Sequence, residues 1–215
     1  LSSFFSNRYP DQNVKSYREF YDNSLRLLQS KDLDSFDLRK ESAAMREKYG
    51  LSKFGQGCLL ARRLVETGVR YVEVATDGWD MHNNLQGDME DLSPSFDQAY
   101  AALISDLDQR GMLDSTLVVL ATEFGRKPQF NGNGRGHYPI CFCSVLAGGG
   151  VKRGFVYGAS DKEGAYPEDP VTVHDLHATI GWAAGLPLKN EVLSSTGRPF
   201  VVGGAKAKPV MGLFA

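Results

Sequence analysis

The stretch TLVVLA at residues 116–121 constrains this 215-residue chain more than any other segment. From Leu117 to Ala121 it has no polar face, so as a strand it would need cover on both sides. That predicts a central strand of a parallel sheet. Earlier in the chain, residues 69–74 (VRYVEV) alternate apolar and polar positions and are β-rich, which predicts a second strand. Between the two lies a helical pattern over about residues 94–111, with Phe96, Tyr100, Leu103, Ile104 and Leu107 on one face. The order strand, helix, strand predicts a right-handed crossover. The expected fold is therefore α/β, a mostly parallel sheet sandwiched by helices. In such sheets ligands gather beyond the C-terminal ends of the strands.

Residues 1–50 read as a separate, polar, helix-forming segment, and residues 51–215 as the α/β domain. Leu59, Leu60 and Leu64 form an apolar stripe on a helix over about residues 55–66, with Gly68 at a C-cap position. Near the other end, Thr172 and Asp175 have the spacing of a capping box for a last helix. Lys and Arg total 24 and Asp and Glu 26, a net charge of -2 that gives no electrostatic reason to expect nucleic acid as a partner. No apolar run approaches the ~20 residues of a membrane helix, and no export signal is legible at the start of the sequence. Cys58, Cys141 and Cys143 show neither a disulfide framework nor the Cys-x-x-Cys spacing of a zinc site.

The chemistry concentrates in three loops. There are four histidines, His82, His137, His174 and His177, and none lies in the first 81 residues. Asp80 and His82 follow the first predicted strand and offer an oxygen and a nitrogen ligand suited to zinc or manganese. A solvated loop anchored by Trp79 explains the same residues. Glu123 and Arg126 follow the apolar run. A carboxylate there could bind a metal and the guanidinium could clamp a phosphate or sulfate, or the two could form a structural pair. The segment NGNGRGHYP at residues 131–139 brings Arg135 and His137 together, on one side if it is extended. His174 and His177 sit on the last helix, where capping or packing is the expected role.

Five segments, in order, carry a family resemblance: residues 54–72, Gly78-Trp79-Asp80 with His82, Thr122-Glu123-Phe124-Gly125-Arg126, Gly134-Arg135 with His137, and residues 171–186. Together they resemble the bacterial family known as domain of unknown function 1501, over essentially the whole chain. That family is sulfatase-like and looks related to the alkaline phosphatase superfamily. The resemblance implies a metal-dependent hydrolase of phosphate or sulfate esters, with Asp80, His82, Glu123 and His137 as metal ligands and Arg126 and Arg135 on the substrate anion. It implies a divalent ion, zinc first and manganese or calcium as alternatives. The implied substrate is a small anionic ester or a sulfated or phosphorylated saccharide, and the implied location is periplasmic or exported. The resemblance further implies that this chain is the C-terminal half of a longer protein, whose other half would supply the nucleophile. Two departures stand out. Phe124 occupies a position where the superfamily has a ligand His, and Gly136 one where the family has Asp. A non-catalytic exported binding or scaffold domain is the alternative these departures favour.

Overall fold

A computed structural model describes residues 11–215. The chain divides into two compact units, Leu1–Val74 and Ala75–Ala215. The first ten residues of the expected N-terminal segment lie outside the described residues.

In the first unit, serine and aspartate side chains start each helix by accepting an otherwise orphaned backbone N–H. Asp11 caps α1 (Gln12–Gln29), Ser30 a 3-10 turn (Lys31–Phe36), Ser42 α2 (Ala43–Lys48) and Ser52 α3 (Lys53–Glu66). The core gathers on α3, where Cys58, Leu59 and Ala61 are buried along with Tyr49. Gly55 is needed where the chain crosses itself, because a Cβ there would meet the Tyr49 carbonyl oxygen at 2.2 Å. Arg62, 1% exposed, pairs with Glu41 at 2.9 Å and Glu66 at 2.7 Å. Burial alone would push the Glu41 carboxyl up, but hydrogen bonds from Arg63 and Arg62 outweigh it and hold it below its usual value.

Residues 69–74, expected as a strand, belong to no ladder, and residue 70 is a bend. Their alternation survives as burial: Val72 and Val74 are half-buried, Tyr71 and Glu73 exposed. Val74 lies against Gly57 of α3. Helix packing, not strand pairing, satisfies the pattern.

The second unit opens with a loop over residues 75–84 and continues into α4 (Leu85–Gln109). Asn84, at φ 50°, turns the chain into α4 nine residues before the expected start at Pro94, so the proline sits inside the helix. A 3-10 turn (Leu113–Ser115) leads to β1 (Val118–Leu120). There follow β2 (Gly125–Arg126), β3 (His137–Tyr138), β4 (Val145–Ala147), β5 (Ala159–Ser160), β6 (Pro167–Glu168), α5 (Val173–Ala183), β7 (Glu191–Leu193), β8 (Pro199–Val201) and a 3-10 turn (Met211–Leu213). The capping box expected for the last helix is present at Thr172 and Asp175.

The expected α/β fold, a mostly parallel sheet sandwiched by helices, is contradicted. Among the described residues the strands form four separate two-stranded antiparallel sheets: β1 with β4, β2 with β3, β5 with β6 and β7 with β8. The apolar run yields a strand of three residues, each half-buried, with one partner strand. An apolar run reports burial but not the direction of the neighbouring strand. The antiparallel register sets the end of β4 beside the start of β1, and Gly148, just past β4 at φ 73°, comes so close to the 3-10 turn that a Cβ would meet the Thr116 oxygen at 2.3 Å. No described helix is long and apolar enough to cross a membrane.

Candidate metal centre

The site lies wholly within the second unit and is built from the loop before α4 and the β2–β3 hairpin. In the hairpin, Arg126 pairs directly with His137 and Gly125 with Tyr138. Directly opposed residues in an antiparallel pair project from the same face, so the register sets a guanidinium beside an imidazole. Two backbone hydrogen bonds then fasten the loop to the hairpin: Arg135 N–H donates to the Met81 carbonyl (3.2 Å) and Leu85 N–H to the Asn133 carbonyl (2.8 Å). Between them Gly134 is buried, and a Cβ on it would lie 2.0 Å from the His82 carbonyl oxygen. The loop is held from its other side by Trp79, whose ring meets Phe96 of α4 edge-on at 5.5 Å, and by the fully enclosed Met81.

The consequence is convergence on one oxygen. Asp80 Oδ1 lies 2.8 Å from His137 Nε2 and 3.1 Å from His82 Nε2, and the two Nε2 atoms are 3.0 Å apart. Arg126 Nη2 donates to the same oxygen at 2.6 Å. The Asp80 carboxyl is held down to about 2, chiefly by that Arg126 bond and then by the one from His137. Among the described residues these three side chains form the group whose ligand atoms lie within 4.8 Å of one another, and all three are exposed.

The donor set suits a cation. A tetrahedral zinc ion with bonds of ~2.0–2.1 Å separates its ligands by about 3.3 Å. The observed edges of 2.8, 3.0 and 3.1 Å describe a triangle of nearly that size. The chemistry agrees, because a carboxylate oxygen and imidazole nitrogens are acceptor atoms when deprotonated. Three acceptors packed this closely repel unless protons or a metal sit among them.

Glu123, read as a fourth ligand, is not brought to the group. It is exposed, three residues beyond the end of β1. Arg126, read as an anion clamp, is committed to Asp80 and to the carbonyls of Trp79 (3.0 Å) and Arg135 (3.2 Å). It positions the loop. Arg135 turns toward Phe130, its guanidinium 4.5 Å from the ring centre. His174 and His177 are exposed on α5. Phe124, read only as a lost ligand, packs its ring on that of His137 with centroids 4.2 Å apart and so restrains the imidazole. Only the hairpin register brings these two rings together, and no local pattern encodes it.

A family model described as "Protein of unknown function (DUF1501)" matches residues 1–214. The chain belongs to the DUF1501 family. No curated protein and no solved structure matches it. In this DUF1501 chain the match spans the whole site, from the Asp80 loop through the hairpin.

Proposed function

We propose that this DUF1501 chain binds a divalent metal, zinc in the first instance, through Asp80 Oδ1, His82 Nε2 and His137 Nε2, and that the site serves hydrolysis of phosphate or sulfate esters. The observation that carries the reading is the ligand triangle with edges near 3 Å. Held by three protein ligands, such an ion would have room for water, whose pKa it would lower, and would screen charge on ester oxygens. The chain's own part is to hold the ligands. Arg126 fixes the Asp80 carboxylate in its ionised form, Phe124 braces His137, and the two backbone bonds keep the loop on the hairpin. The sulfatase-like character suggested by the sequence motifs supports an anionic ester as substrate and an exported or periplasmic location. No side chain is assigned as a nucleophile.

Titrating zinc into the purified chain and into His82→Ala, alongside nitrophenyl phosphate and nitrophenyl sulfate assays, tests the reading. Binding of one ion, lost in the variant, is expected. Failure of the parent chain to bind zinc or manganese would overturn it. The second reading, a non-catalytic binding or scaffold domain, draws on one observation: the Arg126 guanidinium expected on the substrate anion is already engaged by Asp80 and two carbonyls. Metal binding without turnover on either ester would favour it.

A further inference from the structure

Beside the metal centre an open groove of about 510 Å³ runs between the first turn of α4 and the tip of the β2–β3 hairpin. Its lining adjoins the centre along the chain: Asn84 is two residues from His82, and Asn133 precedes Gly134, which lies against the His82 carbonyl. The bond from Leu85 N–H to the Asn133 carbonyl ties the helix side of the groove to the hairpin side. Its volume falls in the range of small-molecule sites, ~300–1,000 Å³. The lining is chemically specific. Phe130, 61% exposed, presents an aromatic surface, and Met89 adds a second apolar one. Around these stand three primary amides, Asn84, Gln86 and Asn133, and no charged side chain lines the groove. Asn84 and Gln86 each give an amide N–H to a carboxylate one helical turn on, Asp88 and Glu90, which orients their amides along α4. The Arg135 guanidinium over Phe130 steadies the ring.

An aromatic face flanked by neutral amides suits a ligand with one apolar face and a rim of hydroxyls. The C–H bonds on one side of a pyranose ring present a weakly positive, apolar surface to the negative face of an aromatic ring. Hydroxyls donate and accept, as amides do, so each amide can satisfy a hydroxyl in either sense. An acyclic alkyl group would use Phe130 and Met89 but leave the amides unmatched.

We infer that this groove is a saccharide subsite, which takes the hydroxyl-rich alcohol half of an ester whose anionic group reaches the Asp80–His82–His137 triangle. This deepens the ester-hydrolase reading and rests on it for the groove's role, while binding of a neutral sugar does not require the metal. The probes are uncharged methyl glycosides of the common hexoses, observed by saturation-transfer NMR and competition at millimolar concentration. Binding by at least one glycoside is expected. It should fall at least tenfold in Phe130→Ala and in Gln86→Ala, both checked for an unchanged melting temperature. It should stay within twofold in His82→Ala, where zinc binding is lost. Absence of binding by every glycoside, or binding that survives Phe130→Ala and Gln86→Ala, would overturn the subsite even if zinc binds. Glycoside binding without zinc binding would uphold the subsite and refute the metal reading, so the two failures are distinguishable.

Discussion

Replacing Gly134 with alanine should disable the metal centre without touching a ligand. The added Cβ would lie 2.0 Å from the His82 carbonyl oxygen, 2.1 Å from its carbonyl carbon and 2.6 Å from the Asn83 nitrogen. All three are backbone atoms, so no side-chain rotation relieves the clash. Restoring an ordinary separation of at least ~3 Å moves the loop off the hairpin by about 1 Å. The two bonds that fasten them, at 3.2 and 2.8 Å, would then stretch beyond useful length. Each such bond contributes about 0.5–1.5 kcal/mol, and forced overpacking costs about 1–3 kcal/mol. The expected loss is about 2–6 kcal/mol, read by urea unfolding. Because His82 moves with the loop, its Nε2 leaves the triangle, and zinc affinity should drop at least tenfold by calorimetry. An alanine variant that unfolds at the parent's urea midpoint and binds zinc equally well would refute the close-approach argument and the placement of the loop.

Three further outcomes are expected. Phe124→Ala removes the ring packed on His137 and should weaken zinc binding by about 10-fold, the scale of an orienting partner, with Phe124→Leu restoring part of it; full affinity in Phe124→Ala would show that the ring does not orient the imidazole. Asp175 accepts from the Lys208 backbone N–H and from Thr172, which hold its carboxyl below the ordinary 3.8. A carboxyl depressed in the folded state contributes stability above its unfolded value and loses it as the pH falls through the lowered one. Asp175→Asn should therefore be less stable than the parent at neutral pH, with the gap in thermal midpoint closing below about pH 4; a gap independent of pH would sink this. Val118→Asp, in a half-buried two-stranded ladder, should cost about 1–3 kcal/mol and leave the chain folded by circular dichroism, whereas complete unfolding would mean that the strand is enclosed on both faces.

The parts of this molecule legible in the sequence are those with local causes. The capping box at Thr172 and Asp175 is a matter of four consecutive residues, and it forms. The helix carrying Leu59 announces itself by the spacing of its apolar stripe and by Gly68 just past its end. The family resemblance groups Asp80, His82 and His137 as ligands, and they do lie together, but the parallel-sheet argument for their nearness fails: a hairpin and two backbone bonds gather them instead. What stayed hidden is set by tertiary contacts. The direction of β4 beside β1, the engagement of Arg126 by Asp80 and the stacking of Phe124 on His137 each depend on residues distant in the chain. Glu123 fits the strand-end rule in sequence but is exposed and stands outside the group of ligand atoms.

The separation of His82 from His137 by 55 positions has a kinetic meaning. Between them run α4 and β1, so these imidazoles close a loop that holds much of the second unit. Bringing the ends of such a loop together costs about 3.5 kcal/mol of chain entropy. An ion gripping both histidines would act as a removable staple across that loop. It would withhold from the unfolded chain the freedom to separate these ends and slow the release of α4 from the hairpin. A chelator would restore that freedom without cutting a bond.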